Sequence, residues 1–426
     1  MKVIHQQVHT IGSTVHKNCK MKNGLIKIGP IISFCLMAFI SCTSDKSMRD
    51  KDPAPVNTDL STLKFSVEEA TDWTNLFLRK SGWFGGDGIF AIPFDGVDTA
   101  GAAKNQETLI LFSDTVIGDI VNDSLQPGFT MVHNSVAIIK GGEAKKENIE
   151  FYYDKKANGK PESMFIPGTP NSKPGDYYWL GDGFVNHSMA DATYVFGYRV
   201  RDTSTASFGF AEVGNTLIKI PKGSKPPFKD QQQMDTPFFI KSNSDGYGSF
   251  GACIFANTKE AYAPGADGYV YVYGVRGKAK NVMVARVKPQ YFETFSEWRF
   301  WDGKTWNADI NATGNIADRA SNEMSVTPLK DGRYAMVFQT DGIGNTVGLR
   351  LSNHPEGPFG PIIKVWECQE PKIAKNFIVY NAKVHSNLSQ PNELLISYNV
   401  NSFDFFKDIL KYPNLYRPRF IRVKLL

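Results

Sequence analysis

Tyr271-Val272-Tyr273-Gly274-Val275-Arg276, followed by Val284-Ala285-Arg286-Val287, is the stretch on which the fold turns. A short β-branched and aromatic run ends in a basic step, and a turn leads to a second run of the same kind. The order recurs in Tyr334-Ala335-Met336-Val337-Phe338 with Val347-Gly348-Leu349-Arg350-Leu351-Ser352. An earlier copy pairs Thr193-Tyr194-Val195-Phe196-Gly197-Tyr198 with Asn215-Thr216-Leu217-Ile218-Lys219-Ile220. Each copy reads as the middle strands of one blade. The centres lie roughly 70 residues apart, beyond the roughly 40–50 of compact repeat families, so the loops are long.

Further short apolar runs at 108–112, 135–139, 394–399 and 419–425 are separated by Gly, Asp, Asn and Pro clusters, and helical periodicity is nearly absent. The expectation is an all-β fold, a five-bladed β-propeller over residues 62–426, with a jelly-roll pair as the architectural alternative.

Upstream, Lys27 precedes an apolar run at 28–40 that ends in Ser41-Cys42. Residues 1–41 read as a secretory signal with an over-extended start, and the break at a cysteine reads as a lipoprotein signal with Cys42 as the lipidated residue. Residues 42–61, polar and proline-bearing, read as the lipidated cysteine and a flexible tether. The expected location is the bacterial membrane, the outer one for preference, reached by export.

The formal charge of +5 comes from Lys2, Lys17, Lys20, Lys22 and Lys27, so the remainder is formally neutral and carries no nucleic-acid footprint. Beyond the anchor only Cys253 and Cys368 remain, too few for a disulfide framework, and their pairing is left open. A monomer is expected.

Two aspartates sit where strand faces ask for hydrophobes: Asp87 in Trp83-Phe84-Gly85-Gly86-Asp87-Gly88-Ile89-Phe90, and Asp114 in Ile110-Leu111-Phe112-Ser113-Asp114-Thr115. Paired carboxylates are the minimum equipment for acid/base work at a glycosidic bond. Glu323, in Ser321-Asn322-Glu323-Met324, is a third candidate acid or substrate anchor. The polar clusters His133-Asn134 and Asn381…His385 are candidate substrate contacts, with Arg276, Tyr398 and the rings of Trp83 and Trp179. Local turn and cap roles compete with each of these readings. No His pair at metal-ligand spacing, no nucleophile elbow and no phosphate loop is present, so no cofactor or metal is expected, while a structural calcium ion stays open.

At Gly86-Asp87-Gly88, Leu111-Phe112-Ser113-Asp114-Thr115, Tyr273-Gly274-Val275-Arg276, Trp301-Asp302-Gly303-Lys304-Thr305-Trp306 and Asn381-Ala382-Lys383-Val384-His385, the chain resembles a family of exported bacterial proteins of undescribed function. Their relatives include the endo-D-arabinanases, glycoside hydrolases on a five-bladed propeller. The resemblance implies that Asp87 and Asp114 match active-site aspartates of the first blade. It departs at Ser386, where a proline is usual, and in the longer gap between the aspartates. The segment 298–306 resembles the Asp-box turn of sialidase-type propellers, a packing device. The expected function is a surface glycoside hydrolase acting on a polysaccharide, furanose or arabinan in type. The alternatives are a non-catalytic glycan-binding lipoprotein and a protein-docking platform.

Overall fold

The computed structural model describes residues 58–204, 209–243 and 246–426. The readings placed on Cys42 and on the rest of 1–57 lie outside the described residues. Five antiparallel sheets follow one another along the chain, each running from an inner strand outward. The inner strands are Trp83–Pro93 (blade I), Tyr177–Asn186 (blade II), Gly246–Asn257 (blade III), Met324–Pro328 (blade IV) and Phe377–Val384 (blade V). The middle strands of blades II, III and IV are the three pairs whose rhythm suggests a propeller: Ala192–Asp202 with Phe210–Ile220, Tyr269–Arg276 with Asn281–Val287, and Tyr334–Gln339 with Thr346–Ser352. This is a five-bladed propeller, not a jelly roll.

The strands are apolar on consecutive positions because each sheet is covered on both faces. Alternation then sends neighbours to opposite interfaces. In the second strand of blade I, Glu107–Ile117, Ile110 and Phe112 pack with Leu395 and Phe420 of blade V. Leu109 and Leu111 of the same strand pack with Tyr178, Val195 and Ile218 of blade II. Blades III and IV meet through Tyr273, Val284 and Cys253 against Val326, Met336 and Phe338. Cys253 and Cys368 are both buried and free. The Trp301–Trp306 hairpin adds two short strands to the outer edge of blade III, its turn held by Asp302 accepting from the backbone of Lys304 and Thr305 at 2.8 and 2.7 Å. Two short helices, Thr71–Leu76 and Phe405–Lys411, are the exceptions to the all-β expectation.

Four of the five inner strands carry a register shift: at Gly86–Phe90, Leu180–Gly183, Phe250–Cys253 and Tyr380–Lys383. A bulge bends the strand and re-aims a side chain, here toward the central channel. In blade I the bulge is built from two consecutive left-handed residues, Gly88 (φ 86°) and Ile89 (φ 53°). For β-branched Ile89 that conformation costs about 1–3 kcal/mol, which the surrounding packing has to hold.

The ring is closed by the two ends of the described chain. Phe65–Glu69 adds to Arg419–Leu425 as the outer strand of blade V, in register from Phe65↔Leu425 to Glu69↔Ile421. The preceding segment is pinned by Arg333, in the turn that ends the inner hairpin of blade IV, which donates to the carbonyls of Asp59 and Thr62 at 2.5 and 2.9 Å. A chain beginning at Ala70 loses this strand and exposes the edge of Arg419–Leu425. We expect its melting temperature to fall by roughly 5 °C or more, with oligomers appearing on size exclusion; an unchanged monomer would show that closure does not depend on Phe65–Glu69.

Candidate active site

The strained bulge of blade I presents Asp87 to the mouth of the channel. Its Oδ2 accepts a 2.6 Å hydrogen bond from the Tyr380 hydroxyl of blade V, and Oδ1 is buried with no hydrogen-bond partner among the described residues. Gly85 allows a close approach here, since a Cβ at that position would sit 2.3 Å from the Tyr416 carbonyl. Tyr416 thereby reaches Asp87 with a second hydroxyl. Burial lifts the Asp87 carboxyl first, the negative charge of Asp114 adds to it, and Glu323 adds less; the hydroxyls of Tyr380 and Tyr416 oppose the rise. The outcome is a carboxyl pushed up to about 7.

Asp114 stands on the neighbouring strand of the same blade. Its Oδ1 lies 3.0 Å from His133 Nδ1, and the His133 ring stacks on Tyr177 of blade II at 3.7 Å and 14°. The His133 side chain is 46 % exposed, so this stack forms part of the open rim.

Glu323 faces them from the start of the blade IV inner strand. Oε1 accepts from Asn381 Nδ2 at 2.7 Å, and Oε2 lies 2.7 Å from the ammonium of Lys383. Burial pushes the Glu323 carboxyl up to about 7 against the pull of Lys383. Lys383 is itself 1 % exposed, donates to the carbonyl of Gly88, and lies 4.6 Å from the centre of the Phe90 ring. One buried cation thus joins the blade I bulge to the blade IV carboxylate.

Asp87, Asp114, His133, Glu323 and Asn381 are brought to one mouth, and Trp179, half-buried in blade II, lies near its rim with its edge toward Phe210 at 4.7 Å. The other expected contacts are placed elsewhere. Trp83 is 2 % exposed and its faces are taken by Phe151 at 4.5 Å and Phe112 at 4.9 Å, so it packs the core and offers no sugar platform. Asn134 is fully buried and clamps blade I to blade II through Phe165 and the Tyr178 carbonyl. Arg276, 6 % exposed, donates twice to Asn315 at 3.0 and 2.7 Å. His385 is buried, bonded to Ser397 at 2.7 Å, and its imidazole is driven down to about 3 by burial and by Lys383, which keeps it neutral. Tyr398 is 5 % exposed and its hydroxyl contacts Glu370 at 3.3 Å in the blade V core. Among the described residues no group of three or more His, Cys, Asp or Glu gathers as metal ligands.

Lys383, Tyr380 and Tyr416 act on these carboxyls, and the sequence reading assigned them no role of their own. A lysine flanked by Ala382 and Val384 is the legible signal for the first, because an ammonium in an apolar run demands an anion. Asp182, at the blade II bulge, accepts from Ile254 N at 2.7 Å and Gly183 N at 2.8 Å, and burial lifts its carboxyl to about 8. It fastens blade II to blade III below the mouth.

A candidate hydrolase from Bacteroides ovatus shares this fold, with TM-score 0.65, 21 % identity, and coverage of 86 % of this chain and 97 % of that one. A GH43_1 enzyme of Xanthomonas citri, solved with xylose, matches at TM-score 0.41 and 13 % identity over 84 % of this chain and 93 % of its own. The alpha-L-arabinofuranosidase PaAbf62A of Podospora anserina, solved with cellotriose, matches at TM-score 0.41 and 11 % identity over 81 % and 97 %. The first likeness speaks to the fold alone, and the two at TM-score 0.41 carry no argument. No curated protein matches the chain. The family whose pattern covers residues 70–425 is the domain of unknown function DUF5005, and the chain belongs to it.

Proposed function

We propose that the mouth hydrolyses glycosidic bonds, with Asp87 as proton donor and Asp114 as the second carboxyl of the pair. The observation that carries this reading is the crowding of Asp87 by Asp114 and Glu323 at a buried bulge, which holds one carboxyl near 7 while its neighbour stands at the open rim beside His133. Two carboxyl groups whose surroundings differ in this way divide into acid and base. Asp87 gives its proton to the leaving oxygen as the bond from that oxygen to the anomeric carbon breaks. Asp114 either takes a proton from the attacking water or attacks the carbon itself, and the anomer of the first product, read by NMR, separates the two routes. Glu323, fixed by Asn381 and Lys383, binds the sugar from the facing wall. The His133–Tyr177 stack and Trp179 supply the ring faces that sugar C–H groups favour.

Anchoring through Cys42 is part of the same reading. The described chain begins beside Arg333 and the loop of Gly360, at the end of the inner strands away from Asp87. Cys42→Ala is expected to move the protein from the membrane fraction to the soluble one or to arrest it as a precursor; normal processing with unchanged partitioning would remove the anchor.

Asp87→Asn and Asp114→Asn each remove a charge or a transferable proton while keeping shape, and each should lower turnover about 10²–10⁴-fold. Hydrolysis by the parent should fall as pH rises through about 7, where Asp87 loses its proton. The stability sign follows from linkage. A carboxyl raised from 3.8 to about 7 binds more protons folded than unfolded, so stability declines from about pH 4 to about pH 7. Asp87→Asn escapes that penalty, and its melting temperature at pH 8 should equal or exceed the parent's. A parent that binds polysaccharide yet cleaves none across a linkage panel would move the protein to the glycan-binding alternative.

A further inference from the structure

The wall of the mouth formed by blade II holds a carboxyl that the proposed reaction does not use. Glu212 lies on Phe210–Ile220 opposite Val200, beyond a register shift that re-aims it. It is half-buried, and the Ser249 side chain of blade III lies close enough to act on its carboxyl. Ser249 is in turn fixed from behind, because its Oγ accepts from Asn215 Nδ2 at 3.0 Å. Asn215 is 1 % exposed, and its amide also donates to the Phe250 carbonyl at 2.8 Å. An ordered polar chain thus leads up to one side of the Glu212 carboxyl. The other, Oε1, is buried without a hydrogen-bond partner among the described residues.

A donor in the same condition stands two strands away. Trp179 pairs with Tyr198 across the sheet and meets Phe210 edge-on at 4.7 Å, and its Nε1 is also buried without a partner. Phe210 and Glu212 alternate onto one side of their strand, so the Trp179 ring and the Glu212 carboxyl share a face of blade II. Buried polar atoms left without partners are rare and ask for a reason. A carboxyl oxygen and an indole N–H without protein partners, beside an indole face, match a sugar hydroxyl, which both gives and accepts hydrogen bonds.

We propose that Glu212 and Trp179 form a sugar subsite on blade II, gripping one hydroxyl of a residue next to the bond cleaved at Asp87. The inference rests on the glycoside-hydrolase reading and deepens it by assigning a specificity-determining pair. Glu212 has no cation among the groups that act on it, and its carboxyl is lifted to about 8 by desolvation, with Ser249 opposing. Glu323, by contrast, is tied to Lys383. The subsite therefore selects for a hydroxyl and gives no advantage to charged sugars.

The test uses the Asp87→Asn protein, so that ligands survive, and titrates it calorimetrically with xylotriose and α-1,5-arabinotriose. Glu212→Gln and Trp179→Phe, added singly, should each weaken binding by roughly ten- to a hundredfold. Combined, they should weaken it by less than the product of the two factors, because both grip one hydroxyl. Ser249→Ala, which leaves the carboxyl but removes its support, should cost a few-fold and stands in if Glu212→Gln does not fold. In the active background the same changes should raise KM more than they lower kcat. Binding kept within twofold by folded Glu212→Gln, with only the melting temperature altered, would show Glu212 to be a strut between blades II and III. That outcome overturns the subsite and leaves hydrolysis standing. A parent that binds neither trisaccharide and hydrolyses no glycan overturns both.

Discussion

The mouth depends on one buried ammonium. Lys383 is almost without solvent, and an isolated charge in that position costs far more than the protein's whole margin of stability. It is tolerated because Glu323 lies 2.7 Å away and the Gly88 carbonyl accepts a hydrogen bond from it. Removing either partner strands a charge, so the pair acts as a rivet whose absence is more costly than its presence is favourable. The rivet has a geometric result. Gly88 belongs to the left-handed pair that thrusts Asp87 into the channel, and the lysine holds that carbonyl in place. Position and electrostatics at the mouth are consequences of the same contact.

Around that rivet the blades play two roles with one set of strands. Below the mouth, alternate residues pack against alternate neighbours, as Leu109 and Ile110 do on opposite faces of blade I. Near the mouth the inner strands break register, and side chains that would have filled an interface open onto the channel instead. Asp87, presented by one of these breaks, is served by the neutral donors Tyr380 and Tyr416, whereas Glu323 is tied to a cation. Neutral donors fix a carboxyl's direction without binding its charge as firmly as an ammonium does, which suits groups that exchange protons.

Much of the architecture was legible because burial on both faces leaves an uninterrupted apolar signature. Arg419–Leu425 carries the bounds read from the sequence. Asp87 and Asp114 were legible for the opposite reason, as charges where the strand asked for hydrophobes. Trp83 misled because flanking glycines suggest an open turn, whereas they let the strand bend close to Tyr416 and leave the indole in the core. Arg276, His385 and Tyr398 misled because a polar group in a strand reads alike whether it meets a ligand or a buried neighbour. Lys383 and Glu212 were missed because their partners, Gly88 and Ser249, are distant in sequence, and local pattern carries no information about such pairs.

The strand that completes blade V joins residues from opposite ends of the fold, Phe65 with Leu425. A ribosome delivers the first of these long before the second, so for most of synthesis no closed ring is available to the chain. Contacts of such large separation form late, after local hairpins. The ring therefore stays open until Arg419–Leu425 has been made.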